Sequence, residues 1–175
     1  GHHRDHGRRL GDATVAGVSG FPYDHLSMDE RDGEFRALVD WRSIRCNNYG
    51  APAENSFLKI RTADFGIPFE PVPDGAFTPL PSTGKRVTEN RFADDWLVFG
   101  GRDRWGGYPP SAEDGPQASK VVAVPVKRPR DAVVIDIPHN IVRTERVGDD
   151  IIINGYRDGK GLNLPLIGLG NGPGI

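Results

Sequence analysis

Two thirteen-residue stretches of the chain match each other without a gap, and this repeat constrains the fold more than any other feature. They are RFADDWLVFGGRD, which begins at Arg91, and RVGDDIIINGYRD, which begins at Arg146, so the offset is 55 positions. Six of the thirteen positions are identical, and most of the others exchange one strand-forming residue for another. A tandem repeat of this kind predicts copies of one supersecondary unit, in which Trp96 and Ile151 occupy equivalent places.

Short β-rich runs separated by Gly, Pro, Asp and Asn extend over most of the chain, and apolar positions do not recur at helical spacing over any long window. The 23 glycines and 15 prolines make up more than a fifth of the 175 residues, which is typical of short strands joined by many turns. The predicted strands cover residues 34–41, 57–62, 95–101, 120–126, 132–138, 151–156 and 162–169.

The repeat arranges these runs into units of four antiparallel strands. In the middle copy, strand 85–92 leads through the turn at 93–95 to three further strands. A weaker first copy starts at HLSM, turns at ERDG, and takes residues 69–73 as its fourth strand. In the last copy, strand 140–147 leads through a tight GDD turn into its hairpin partner. Asp and Gly suit such turns because they tolerate positive φ.

These units predict an all-β fold, a β-propeller segment of about three four-stranded antiparallel blades. Strands such as VVAVPV and IIIN show no alternation of polar and apolar residues, as expected for sheets that are buried on both faces. A β-sandwich is the alternative, although a sandwich has no reason to repeat its turns at fixed spacing. The predicted organisation is a flexible lead-in at 1–20 and a partial propeller domain at 21–175, with blades at about 21–73, 80–138 and 139–175, the last incomplete.

The stretch HLSMDERDGEFRALVDW resembles a signature that opens blades in secreted proteins with a C-terminal β-propeller domain distantly related to WD40 repeats. The matching residues are Leu26, Ser27, Met28, Asp29, Glu30, Gly33, Phe35 and Arg36. ERVGDDIIINGYRD is similar to another blade motif of that family, and the resemblance covers about residues 21–169. The long Pro-rich loops of this chain depart from the family pattern. The resemblance implies a secreted or cell-surface protein and carries over no catalytic residues.

The last unit stops before its fourth strand, so the chain holds fewer than three complete blades. Propeller rings usually have four to eight blades, and an open arc exposes an apolar sheet face at each end. We therefore expect either the remaining blades of a longer chain or self-association to cover these faces.

Two long loops, at about 42–55 and 102–119, connect the second and third strands of the first two units and should open on one side of the propeller. Aromatic rings and guanidinium groups suit recognition of protein or carbohydrate, because they combine flat area with forked donors. An alternative is that Trp105 and Tyr108 only pack the loop, and that the repeated Arg102–Asp103 and Arg157–Asp158 pairs form an inter-blade ion pair or loop clasp. The candidate ligand-binding residues are Arg102, Arg104, Trp105, Tyr108, Arg45 and Tyr49.

Other kinds of site find little support. The net charge of −2 comes from 22 basic and 24 acidic residues mixed along the chain, so no nucleic-acid partner is predicted. No apolar run reaches the length of a membrane span. No metal, cofactor or catalytic residue is assigned, since the Asp94–Asp95 and Asp149–Asp150 pairs are typical of turns, and Cys46, His25 and His139 lack partner motifs. The sequence thus favours a non-catalytic binding or scaffold module. The alternative is a propeller-type enzyme that acts on glycans as a hydrolase or lyase.

Overall fold

The computed structural model describes residues 16–41, 53–66, 71–85, 87–102, 118–157, 160–170 and 172–174. In these ranges the chain forms short β-strands and four single-turn 3₁₀ segments, and no α-helix. The strands are β1 (Phe21–Pro22), β2 (Met28–Arg31), β3 (Glu34–Asp40), β4 (Asn55–Arg61), β5 (Phe77–Pro79), β6 (Val87–Ala93), β7 (Trp96–Arg102), β8 (Ser119–Pro125), β9 (Val133–Ile137), β10 (Arg143–Val147), β11 (Asp150–Arg157), β12 (Gly161–Asn163) and β13 (Leu166–Ile167). The 3₁₀ segments are His25–Ser27, Thr62–Asp64, Asp74–Ala76 and Pro129–Asp131.

All strand pairs are antiparallel, and they form three separate sheets. Sheet 1 contains β1 to β5, sheet 2 contains β6 to β9, and sheet 3 contains β10 to β13. The prediction of an all-β chain built from four-stranded antiparallel units is therefore confirmed.

The first strand of sheet 1 is divided into two segments. Phe21 pairs with Asp40 and Met28 pairs with Ala37, so β1 and β2 lie along the same side of β3. The 3₁₀ turn between them is capped by Asp24, whose carboxylate accepts the backbone N–H of Leu26 at 2.8 Å. The cap holds the interruption in place, so that both segments pair with β3 although the residues between them loop out of the strand.

The fourth strand of sheet 1 is β5, and the prediction that residues 69–73 fill this position is wrong for the part that the structure describes. Leu58 pairs with Phe77, and Ser56 pairs with Pro79. Residues 71–73 lie outside the sheet, and Val72 donates instead to the carbonyl of Gly17 at 2.6 Å. The physical reason lies in the prolines at positions 71 and 73, which cannot donate to a strand ladder. Phe77 instead packs edge-on against Trp41, with ring centroids 5.0 Å apart.

Sheet 3 has three strand positions in the described residues. The pairs Gly155↔Asn163 and Ile151↔Ile167 keep one register, so β12 and β13 are two segments of the same third strand. Pro165 lies between them. The fourth position, which β5 and β9 fill in the other two sheets, holds no strand within the described part of sheet 3.

The three sheets pack in a row, with sheet 2 in the middle and buried on both faces. Phe99 and Leu97 face sheet 1, while Val98, which lies between them in β7, faces sheet 3. The layer between sheets 1 and 2 contains Leu38, Phe57, Leu97, Phe99, Val122, Val124 and Val126. The layer between sheets 2 and 3 contains Ala93, Val98, Val121, Ala123, Ile137, Ile141, Ile151, Ile153, Ile167 and Leu169. The arrangement fits a propeller segment, and it explains why the middle strands show no polar–apolar alternation.

The structural repeat differs by one residue from the repeat in the sequence. Ala93 pairs with Trp96 across one hairpin turn, and Val147 pairs with Asp150 across the other, which gives an offset of 54. Leu97 and Ile151 are thus the equivalent residues, and both face the preceding sheet. Trp96 and Ile151 contact the same core layer from opposite sides. The prediction that these two residues are equivalent is therefore wrong, although the hairpins as units do correspond.

One carboxylate connects the hairpins of all three sheets. Asp94 is the first residue of the β6–β7 turn and has a φ of 46°. It accepts from Arg31 of sheet 1 at 2.6 Å and from Arg146 of sheet 3 at 2.7 Å. The β2–β3, β6–β7 and β10–β11 turns therefore lie at the same edge of the stack, which we call the turn edge. The opposite edge, from which β3, β7 and β11 continue into their loops, is called the loop edge.

The Asp94 clasp should make stability depend on acid pH. Its hydrogen bond with Arg31, together with the charges of Arg146 and Arg31, holds the pKa of Asp94 below the ordinary value of 3.8. A lowered folded-state pKa stabilises the fold above the unfolded value, and this contribution is lost as the pH falls through the folded value. We expect the wild type to lose stability more steeply than Asp94→Asn between pH 5 and pH 2, measured by urea unfolding. Asp136→Asn, at an exposed strand residue, should keep the wild-type slope, and an equal slope for Asp94→Asn would contradict the clasp.

Candidate functional site

The two long loops leave from the loop edge of neighbouring sheets. Asp40, at the end of β3, pairs with Asn55, at the start of β4. Arg102 ends β7, and Ser119 begins β8. Because the first hairpin turns of both sheets lie at the turn edge, these two exits lie on the same side of the stack. Of the candidate ligand-binding residues, Arg102 is described, whereas Arg45, Tyr49, Arg104, Trp105 and Tyr108 lie outside the described residues.

A buried polar network holds the base of the first loop. The Tyr23 hydroxyl donates to Asp40 at 2.7 Å and lies 3.4 Å from the Asn55 side-chain oxygen. The amide of Asn55 in turn donates to the Thr88 hydroxyl of sheet 2 at 3.4 Å. Asp40, Asn55 and Thr88 are all buried. Buried polar groups that satisfy one another fix side-chain positions, so the loop starts from a rigid base that spans two sheets.

The backbone on either side of the first loop is held as well. Trp41 donates its backbone N–H to the carbonyl of Glu54 at 3.0 Å, which closes the base of the loop. Ala53 donates to the carbonyl of Lys85 at 2.7 Å and ties the loop to the segment that enters sheet 2. The loop therefore begins and ends on backbone whose position is set by both sheets.

Arg102 lies at the base of the second loop, between sheets 2 and 3. Its guanidinium donates to the carbonyl of Val142 at 2.8 Å and forms an ion pair with Glu89. The side chain is only 12% exposed. The geometry is that of an inter-sheet clasp, the structural alternative considered for the repeated Arg–Asp pair. Ligand binding by Arg102 stays a prediction.

Arg157 does not repeat this contact. It is exposed at the end of β11, and the residue at the place of Arg102 is Tyr156, because the structural offset is 54. The recurrence of Arg–Asp in the sequence therefore does not mark one repeated ion pair.

Glu89 is a further candidate site residue, which the sequence did not single out. Burial raises the pKa of its carboxyl above the ordinary value, Arg102 opposes this rise, and the negative charge of Asp24 adds to it. Arg91 and Arg143 also lie close enough to lower the pKa. A carboxyl with such a perturbed pKa, set among arginines near a loop edge, is a candidate for function, although structural ion-pair networks produce the same signature. The sequence feature that could have pointed to Glu89 is the polar run TENR, which interrupts an otherwise apolar strand region.

The other residues considered for catalysis or metal binding are His139, His25, Asp150 and Cys46. His139 is buried, and its Nδ1 lies 2.6 Å from the carbonyl of Asn140. His25 belongs to the 3₁₀ turn before β2. Asp150 is the first residue of β11 and accepts the backbone N–H of Leu169 at 3.0 Å, so the GDD turn comprises Gly148 and Asp149 alone. Cys46 lies outside the described residues.

Within the described ranges, no three His, Cys, Asp or Glu side chains come together as a possible metal site. Nor does any helix in those ranges have the length and apolar character needed to cross a membrane. Comparisons with family models, with curated proteins and with solved structures returned no match for this chain.

Proposed function

We propose that the chain is a non-catalytic binding or scaffold module of a secreted or cell-surface protein, and that it recognises protein or carbohydrate through the two long loops at the loop edge. One observation carries the proposal: both loops leave neighbouring sheets at the same edge, from bases held by Tyr23, Asn55 and Arg102. Rigid scaffolds that present adjacent loops are a common design of recognition surfaces. The secreted or cell-surface location follows from the family resemblance of residues 21–169.

The chemistry of the loops fits this role. They carry Arg45, Tyr49, Arg104, Trp105 and Tyr108. Trp, Tyr and Arg dominate binding energy in known interfaces, because they bury large areas and form directed hydrogen bonds. Stacking on sugar rings and forked contacts with carboxylates use the same side chains.

The test is binding to an oligosaccharide array and to an array of immobilised peptides. We expect a ligand whose affinity falls at least ~10-fold in a variant carrying Arg104→Ala, Trp105→Ala and Tyr108→Ala, since hot-spot truncations each cost about 2 kcal/mol or more. Arg130→Ala is the matched control, because Arg130 is exposed at the turn edge. Absence of binding on both arrays, or equal loss in the Arg130→Ala control, would contradict the proposal.

A second candidate function is glycan hydrolysis or cleavage by a propeller-type enzyme, and the raised pKa of Glu89 favours it. A general acid in glycan cleavage needs a carboxyl with a raised pKa, and burial shifts the pKa of Glu89 in this direction. Under this alternative, Glu89→Gln abolishes turnover of a panel of aryl glycosides and oligosaccharides and leaves binding within about 2-fold. Under the binding-module proposal, the wild type turns over none of them, and Glu89→Gln changes only stability.

A further inference from the structure

Among the described residues, the outer edge of sheet 3 has backbone hydrogen-bonding groups that face no neighbouring strand. Ile153 donates to the carbonyl of Pro165 at 3.0 Å, so Pro165 directs its backbone toward β11. Neighbouring residues of an antiparallel strand direct their N–H and C=O groups to opposite sides. The backbone groups of Leu162, Leu164 and Leu166 therefore point to the outer side, where the described part of the sheet has no strand. The missing N–H of Pro165 does not interrupt this edge, because it would point toward β11.

Two hydrogen bonds already form on that outer side. Gly168 donates to the carbonyl of Gly174 at 3.0 Å, and Gly174 donates back at 3.3 Å. Gly168 lies two residues after Leu166, so its backbone groups point to the same outer side. Gly174 therefore occupies the place where a fourth strand would run. The edge is thus in a geometry that accepts an antiparallel partner.

Sheet 2 shows what occupies the equivalent position. Its third strand carries Ser119, Val121 and Ala123 where sheet 3 carries Leu162, Leu164 and Leu166, as the pairs Val98↔Ala123 and Ile152↔Leu166 establish. In sheet 2 these residues pair with Ile137, Ile135 and Val133 of β9. The fourth strand is therefore antiparallel and apolar at every second position.

The edge also lacks the features that usually protect exposed strands. Residues 161–170 contain no charged side chain. Leu162, Leu164 and Leu166 are about half exposed, at 56%, 54% and 46%. Natural edges are normally blunted by charges, especially Lys, or by a proline that removes an outward N–H. Neither device is present on the outer side here.

We propose that this edge is a strand-addition site, which takes an extended peptide antiparallel to β12 and β13 with apolar side chains at alternate positions. Main-chain hydrogen bonds to Leu162, Leu164 and Leu166 supply the binding, and the leucine side chains select the apolar residues opposite them. The site lies on the last sheet and is separate from the two long loops.

The probe is a fluorescein-labelled peptide with the sequence of residues 131–138, DAVVIDIP, followed by two lysines for solubility. Fluorescence anisotropy measures its binding to the whole chain. In β9 the amides of Ile135 and Ile137 face the third strand, and those of Val134 and Asp136 face away. N-methylation of the Ile135 and Ile137 amides should weaken binding at least ~10-fold, since two hydrogen bonds are lost. N-methylation of the Val134 and Asp136 amides is the matched control and should change the affinity by no more than about 2-fold.

Leu164→Pro provides the complementary change in the protein, because it removes an outward N–H and spares the pairing with β11. Leu164→Pro should weaken binding of the unmodified peptide, whereas the Leu164→Ala variant should bind that peptide with most of the wild-type affinity. Equal effects of the two N-methylated peptides, or no peptide binding, would overturn the proposal. So would sedimentation that finds a dimer with no peptide uptake, since that result assigns the edge to a second copy of the chain.

Discussion

Phe99→Ala is expected to lower the free energy of unfolding by about 3–5 kcal/mol, the usual cost of deleting a buried aromatic side chain. Phe99 is fully buried in the layer between sheets 1 and 2, where Leu38 and Phe57 come from the opposite sheet. The cavity cannot close easily, because β7 is paired on both sides, with β6 and with β8. Urea unfolding followed by far-ultraviolet circular dichroism measures the change.

The control for this prediction is Leu164→Ala. Leu164 is 54% exposed, so its truncation removes little buried area and should shift stability by no more than ~0.5 kcal/mol. A loss below about 1 kcal/mol for Phe99→Ala would mean that the ring is not enclosed between two sheets.

Gly155→Ala is expected to cost about 3 kcal/mol, at the upper end of the range for overpacking. A Cβ at Gly155 would lie 1.8 Å from the carbonyl oxygen of Asn140 and 2.2 Å from Nδ1 of His139. The segment cannot move away freely, because Tyr156 donates its backbone N–H to the Asn140 side chain at 2.7 Å. Gly155 is thus the point where the chain that enters sheet 3 crosses β11.

Gly170→Ala is the matched control, since nothing lies within 4 Å of its added Cβ and its φ is not positive. It should change stability by no more than ~0.5 kcal/mol, measured by the same urea unfolding. If both alanine variants unfold at the wild-type midpoint, the crossing segment does not lie against Gly155.

Gly101 shows that this crossing is part of the repeat. A Cβ there would lie 2.2 Å from the Thr83 hydroxyl oxygen, in the segment that enters sheet 2. Gly101 and Gly155 are 54 residues apart, the same offset as the two hairpin turns. The sequence match at 55 instead aligned Gly100 with Gly155, because the Asp149–Asp150 pair begins one residue later in its turn than Asp94–Asp95 does.

The architecture was predictable from the sequence wherever local signals were sufficient. Runs of β-branched and aromatic residues located the strands of sheet 2, and turns that contain Asp or Gly located the hairpins. The repeat predicted that both faces of the middle strands are buried. The position of β5 was not predictable, because the proline-rich region contains several short apolar stretches, and long-range packing of Phe77 against Trp41 selects among them.

The candidate site was less predictable. The sequence located the two long loops by their length, but the structure describes only their bases. The ion pair between Glu89 and Arg102 joins the beginning of β6 to the end of β7, and the contact with Val142 depends on how two sheets stack. Such contacts have no local sequence signal. The pKa of Glu89 likewise depends on burial, which a single sequence does not give for a polar strand residue.

The central claim is that sheet 2 is enclosed by sheets 1 and 3, while the described part of the chain leaves the other face of sheet 3 open. Lysine substitutions at neighbouring residues test it most directly, with the folded fraction measured by circular dichroism. We expect Leu97→Lys and Val98→Lys both to unfold the chain, because the two side chains lie in different buried layers. In β11, Ile151→Lys should unfold it and Ile152→Lys should be tolerated, since Ile152 faces the open side. Tolerance of either β7 substitution, or unfolding by Ile152→Lys, would contradict the three-sheet stack.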